Sequence, residues 1–219
     1  MTGLIRRLTA PALRAGAIDL AGRDVELARI HARLGHPPLW GRPTGFTTLF
    51  RIILEQQVSL AGARTLFRRI ETHLGGVTTH TVHAAGVDGL RAVGLTRQKA
   101  AYTHGLARRI LEGELDLRAV ARAPDEAGRQ LLLAVPGLGP WSVDIYFLMA
   151  LKRPDVWPRG DLALALALRD VKGLSVVPSN DEQHAITVAW SPWRSVGARL
   201  LWMHYLHARR TERAKPGRA

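Results

Sequence analysis

The 219-residue chain contains no cysteine. That absence excludes disulfides, a thiol nucleophile, a cysteine-ligated zinc site and an iron–sulfur cluster. Long apolar runs are missing too. Leu162 to Leu168 is too short to cross a bilayer, and Arg6, Arg7 and Arg14 interrupt any signal-peptide core between Met1 and Leu20. A cytoplasmic protein with no membrane partner is expected. Acidic residues are scarce: 18 against 31 basic ones leave a net charge of +13. Such an excess attracts polyanions through phosphate neutralisation and counterion release. Part of it sits at the ends, since Ala208 to Ala219 carries five basic residues and one acidic, and Met1 to Gly16 carries three basic ones, which leaves +6 over the body. Nucleic acid is the partner class this balance favours. With 47% hydrophobic and 22% charged residues, the chain is ordinary globular material and can bury a core.

Helical periodicity dominates the rest. Val25, Leu27, Ile30 and Leu34 share a face, and Gly35 to Pro38 stops that run. Thr44 is placed to cap a helix with the stripe Phe46, Leu49, Phe50, Ile53 and Leu54, ending near Gln56 and Gln57. Ser59 starts a helix to Leu74, closed by Gly75 and Gly76; Thr81 to Val93 and Thr96 to Glu112 read as two more. Pro124-Asp125-Glu126 opens another, helices follow from Trp141 to Leu151 and from Leu162 to Leu168, and Asp181 to Trp190 and Trp193 to Arg209 supply the last two. With no strand pairs, fixed-period repeat or long linker, the expected fold is all-α. The division is an amino-terminal extension over 1–22, one compact domain over 23–209 and a basic tail over 210–219, with the first residues irregular.

The most informative stretch is Leu133-Ala134-Val135-Pro136-Gly137-Leu138-Gly139-Pro140-Trp141. Two glycines around one apolar residue permit a sharp turn, and the helix that follows begins with amides able to face an anion. Roughly twenty residues on, Asp161 stands at a helix start in Pro158-Arg159-Gly160-Asp161-Leu162. Three further segments appear in order: Ile53-Leu54-Glu55-Gln56-Gln57-Val58-Ser59, Gly94-Leu95-Thr96-Arg97-Gln98-Lys99-Ala100, and Trp190-Ser191-Pro192-Trp193-Arg194-Ser195 with Leu201-Trp202. Together these resemble the helix-hairpin-helix (HhH-GPD) DNA glycosylases over approximately Pro43 to Tyr205, within them the short AlkA-like alkylpurine (3-methyladenine) subfamily, which lacks the amino-terminal β-domain of longer members.

The resemblance implies two helical lobes flanking an active-site cleft and a function in base excision repair. Alkylated bases such as 3-methyladenine and 7-methylguanine would be flipped from double-stranded DNA and released by hydrolysis, leaving an abasic site. Asp161 becomes the catalytic carboxylate. A carboxylate at a helix N-terminus is held ionised by the dipole and by amide hydrogen bonds, and can face positive charge developing at C1′. Trp202 matches the position that lines the base pocket, with Trp141, Gln57, Tyr146 and Trp40 as further candidates; flat rings stack on an extruded base. Six of the thirteen aromatic residues are tryptophan. Pro136, Gly137, Leu138 and Gly139 form the DNA-binding hairpin, with Leu138 as its anchor and main-chain carbonyls suited to a structural monovalent cation. Leu95, Thr96, Arg97 and Lys99 form a wedge loop, in which either Leu95 or Arg97 is the inserted side chain and Lys99 docks on phosphate. Glu55 replaces a small residue and would repel phosphate locally.

The histidine pairs, His204 and His207 among them, lack a carboxylate partner, so no catalytic metal is assigned. Two other functions fit part of the pattern. A bifunctional glycosylase/lyase needs a lysine two residues after the second hairpin glycine, where this chain has Trp141. A non-catalytic DNA-binding module explains the charge and the hairpin but leaves Asp161, Trp202 and Gln-Gln-Val-Ser unexplained.

Overall fold

The computed structural model describes residues 7–213, which are helical with no strand among them. The chain divides into two compact units, one formed by Met1–Gly41 with Phe147–Ala219 and the other by Arg42–Tyr146.

In the first unit, α1 (Ala10–Arg23) is capped by Thr9 and followed by α2 (Val25–Leu34). Asp24 joins them: its N–H closes α1 on the Leu20 carbonyl, and its carboxylate accepts from Leu27 N at 3.1 Å to open α2. The amino-terminal residues are therefore helical from Ala10 onward, not irregular, and they belong to this unit's core. Small residues concealed the pattern. The buried face of α1 is Leu13, Gly16, Ala17 and Leu20, and at Gly16 the Trp193 indole lies 2.8 Å from where a Cβ would stand. α10 (Leu162–Lys172), α11 (Asn180–Thr187), a 3₁₀ turn Val188–Trp190 and α12 (Arg194–Arg213) complete the unit, with α12 packed on α1, α2 and α10. Lys172 Nζ joins α10 to the start of α2 through Asp24 at 2.7 Å and Glu26 at 2.8 Å.

The second unit comprises α3 (Phe46–Glu55), α4 (Leu60–Leu74), α5 (Thr79–Ala92), α6 (Arg97–Leu111), α7 (Leu117–Arg122), α8 (Asp125–Leu133) and α9 (Pro140–Ile145). Phe50, Ile52, Ile53, Leu54, Phe67, Ile70, Leu90 and Leu106 are buried in its core. Ser59 and Thr96 cap α4 and α6. Thr44 does not cap α3: Gly45 occupies that position without a side-chain bond, and its N–H donates to the Tyr146 hydroxyl at 3.0 Å. The helix expected from Trp141 to Leu151 is α-helical only to Ile145, and a π-helical turn Tyr146–Ala150 carries the chain back to the first unit. A side-chain donor meets that turn, because Arg199 Nη2 reaches the Leu148 carbonyl at 3.2 Å.

Candidate functional site

Asp161 is the N-cap of α10, half-buried, and its Oδ1 accepts from Leu164 N at 3.0 Å and from the Trp202 indole N–H at 3.3 Å. The irregular segment leading to it is held by side chains borne on helices. Val156 N donates to Ser195 Oγ at 3.0 Å, and that hydroxyl donates to the Arg153 carbonyl at 2.7 Å. The Trp157 indole N–H donates to Gln183 Oε1 at 3.2 Å, and Gly160 N to Asn180 Oδ1 at 3.1 Å. Asp155 takes Arg194 Nε at 2.8 Å and Nη2 at 2.9 Å. Burial pushes the Asp155 carboxyl up, but this two-nitrogen grip and the Arg194 and Ser191 hydrogen bonds outweigh it and hold the group below its ordinary value. The result is a carboxylate fixed in place at the positive end of a helix.

Trp202 is 9% exposed, so the hydrogen bond to Asp161 is its definite contact and little of its ring is open. One turn earlier on α12, Arg199 is fully buried and donates to the carbonyls of Trp40 at 2.7 Å, Leu148 at 3.2 Å and Ser195 at 3.3 Å. Burial pushes its pKa down to about 10. Arg199 thereby ties the half-exposed Trp40 to α12. His204 Nδ1 faces Arg33 Nη2 at 2.9 Å, which leaves that nitrogen occupied by a donor rather than open to a metal.

In the second unit the hairpin between α8 and α9 exposes Pro136 and Gly139 and buries Leu138. Its two glycines differ. Gly137 has φ +91°, and a Cβ there would lie 2.4 Å from Tyr102 Cγ, so both conformation and space demand glycine. Gly139 has φ −80° with nothing within 4 Å of a Cβ, so nothing inside the chain demands it. Trp141 is half-exposed on α9. The hairpin carbonyls accept internal bonds: Val135 from Leu138 N at 3.1 Å, Gly137 from Gln56 Nε2 at 2.8 Å, Gly139 from Val143 N at 3.1 Å.

That role of Gln56 was not legible in the sequence, where Gln57 is the residue that reads as a buried amide. The roles are reversed. Gln56 Nε2 also donates to Ser142 Oγ at 2.9 Å, whereas Gln57 is exposed at the end of α3 with φ +58°. A left-handed non-glycine residue in a loop is a conformation that its neighbours must enforce, and Lys99 is the enforcer. Its Nζ donates to the Leu54 carbonyl at 2.7 Å and the Gln56 carbonyl at 2.8 Å, closing the C-terminus of α3. Burial pushes the ammonium below the ordinary lysine value. Lys99 is therefore an internal brace and not a phosphate contact. Leu95, at 5% exposure, packs in the core and presents no wedge, while Thr96 and Arg97 are exposed. Tyr146 is completely buried with its hydroxyl on Gly45 N, so it offers no face to a base; burial raises its pKa. Glu55 does not stand as an open negative charge, because Arg42 Nη2 grips it at 2.9 Å.

The model of the HhH-GPD superfamily of base excision DNA repair proteins matches residues 50–193. The chain belongs to this superfamily. A relative from Bacillus subtilis (strain 168), YfjP, which carries a provisional DNA-3-methyladenine glycosylase name, is 29% identical over 165 residues, 72% of this chain. The chain spans 58% of that relative's length. Among solved structures, the 3-methyladenine DNA glycosylase of Schizosaccharomyces pombe in complex with abasic DNA has a TM-score of 0.79 at 22% identity, covering 86% of this chain and 95% of that one. The 8-oxoguanine glycosylase/lyase of Clostridium acetobutylicum bound to double-stranded DNA has a TM-score of 0.74 at 17% identity, covering 90% and 70%. These two likenesses show the fold alone. No described helix is long and apolar enough to cross a membrane.

Proposed function

We propose that the chain is a monofunctional DNA glycosylase that releases alkylated purines, 3-methyladenine and 7-methylguanine foremost, from double-stranded DNA. The observation that carries this reading is Asp161: a carboxylate at a helix N-terminus, tied through Oδ1 to Leu164 N and to the Trp202 indole, in a chain whose family acts in base excision repair. As the N-glycosidic bond breaks, its electrons leave with the base and positive charge grows at C1′. A fixed anion stabilises that charge more than it stabilises the intact nucleotide, which is the condition for catalysis. Water adds to C1′, loses a proton and leaves an abasic sugar. Docking falls to the hairpin, where the unfilled space over Gly139 admits close approach of a phosphate. The second lone pairs of the Val135, Gly137 and Gly139 carbonyls suit a monovalent cation, which would stiffen the hairpin and supply no chemistry. Of the base-pocket candidates, Trp40 and Trp141 are half-exposed, and Trp202 takes part through its indole N–H on Asp161. Cytoplasmic action as a monomer belongs to the same reading.

The lyase alternative needs an amine that can attack C1′. The chain has four lysines. Lys99 is engaged by two carbonyls and Lys172 by two carboxylates, Lys152 adopts φ +57° beyond the π-helical turn, and Lys215 lies outside the described residues. A panel of single-lesion duplexes tests the proposal, assayed for free base and then run on a gel with and without hot alkali. Strand breakage only after alkali is the expected result. A protein–DNA adduct trapped by borohydride, or no base released from any lesion, would overturn it.

A further inference from the structure

Between α3 and α4 lies a cavity of about 400 Å³ that neither the hairpin nor Asp161 accounts for, lined by four arginines, Arg42, Arg51, Arg64 and Arg68, with one carboxylate, Glu55. The charges are unevenly matched. Arg42 Nη2 takes both oxygens of Glu55, at 3.0 Å and 2.9 Å. Arg51, Arg64 and Arg68 make no ion pair among the described residues. Arg64 and Arg68 are one turn apart on α4 and so share a face, and Phe67 beside them carries the Arg51 guanidinium 3.8 Å above its ring centroid. Stacking on Phe67 leaves the edge of the Arg51 guanidinium, which bears its N–H donors, able to reach an anion. Three like charges lining one cavity repel, and a chain gains nothing in folding by gathering them there. Guanidinium forks match phosphate geometry, and an apolar floor lowers the local dielectric and strengthens the pairing.

We propose that this arginine cavity is a phosphate-binding site, filled by a backbone phosphate of the DNA that the protein docks on. The proposal rests on the DNA-docking reading given above. What favours a DNA strand over a free phosphate is position in the chain. The cavity wall residue Glu55 immediately precedes Gln56, whose side chain bonds the hairpin at Gly137 O, so one turn of chain links this cavity to the hairpin.

The test compares the salt dependence of duplex binding by the wild type, by Arg64→Gln/Arg68→Gln, and by a control of equal charge loss on α7, Arg118→Gln/Arg122→Gln. Each phosphate that is no longer neutralised should reduce the slope of log affinity against log salt by about 0.9. The cavity variant should therefore lose about 0.9 in slope, and the α7 control should lose clearly less. Arg64→Lys/Arg68→Lys should restore most of the slope, because charge survives. An equal loss in cavity variant and control means a general field effect and overturns the site. Calorimetric titration with inorganic phosphate separates the sources: phosphate binding abolished in the cavity variant while its DNA slope stays at the wild-type value would assign the cavity to a small ligand and overturn the DNA proposal. Base release by the wild type is measured in parallel. Its absence would sink the glycosylase reading while leaving the slope comparison to decide the cavity on its own.

Discussion

Replacing Asp161 by Asn separates a structural carboxylate from a chemical one, because the structure lets the two penalties be weighed. As N-cap of α10, the side chain accepts from Leu164 N at 3.0 Å, and asparagine caps a helix about as well as aspartate. What folding loses is the charge at the helix N-terminus, about 0.3–1 kcal/mol, and the charge assistance in the 3.3 Å bond from Trp202, about 1 kcal/mol. The sum, about 1–2 kcal/mol, lowers the Tm of a chain this size by roughly 2–8 °C. Catalysis loses more. A fixed group facing transition-state charge contributes about 2.7–4 kcal/mol, or 10²–10³ in rate. Asp161→Asn should therefore fold, bind lesion duplex within a few-fold of the wild type, and release base at least 100-fold more slowly in single turnover. Asp161→Ala should add the missing cap, about 1 kcal/mol, to the stability penalty and leave the rate no better. Release within ten-fold of wild type by Asp161→Asn would refute the electrostatic role and return Asp161 to capping alone.

Three other outcomes follow from the geometry. Lys99→Met keeps the apolar stem but strips the Leu54 and Gln56 carbonyls of their donor. Urea unfolding should show a loss of about 2–4 kcal/mol, and a change under about 0.5 kcal/mol would mean the brace is idle. The hairpin glycines should divide: Gly137→Ala, strained by φ +91° and blocked by Tyr102, should destabilise by roughly 2 kcal/mol or more, whereas Gly139→Val should leave the Tm nearly unchanged and weaken duplex binding, and a Tm loss at Gly139 as large as at Gly137 would contradict the assignment. Asp24 and Asp155 both have carboxyls held below the ordinary value of 3.8; burial opposes this, and hydrogen bonds from Lys172 and Arg194 lead the groups that outweigh it. Their contribution is complete above that value and is lost as pH falls through the folded values, so stability should drop steeply on acidification below about pH 4; Lys172→Met should flatten that acid limb, and an unchanged limb would remove Asp24 from it.

The fold was largely legible because most helices bury large aliphatic residues at helical spacing and open on Ser, Thr or Asp caps. α4 and α10 combine both signals, α3 shows the spacing without the cap, and α6 shows the cap at Thr96 with a smaller buried face. α1 was not legible, since half its buried face is glycine and alanine, and neither was α7, whose six residues bury only Val120. Around the candidate site, the cap at Asp161 and the turn between α8 and α9 were readable from local pattern. The errors concern side chains whose environment is made by distant segments. Leu95 precedes α6 and Lys99 lies in its first turn, yet Lys99 reaches back to α3 and Leu95 enters the core, and no local spacing distinguishes either from a side chain open to DNA. Tyr146 and Gln56 are similar cases, each defined by a partner more than eighty residues away.

Those misplacements also suggest how to read the basic surface of such a chain. A net charge of +13 says that a polyanion is attracted, but not which cations meet it. The structure divides them by what their donors already hold. Lys99 and Arg199 donate to main-chain carbonyls, where they satisfy backbone that irregular segments leave unpaired. Lys172, Arg42 and Arg194 hold carboxylates. A cation so engaged must give up an existing bond to take a phosphate, and its removal changes stability before it changes docking. Among the described residues Arg51, Arg64 and Arg68 have no such bond to surrender, so their removal should change the salt slope before it changes the Tm. Measuring both quantities for one residue of each kind, Lys99 and Arg64, ranks the cations by function without reference to any lesion.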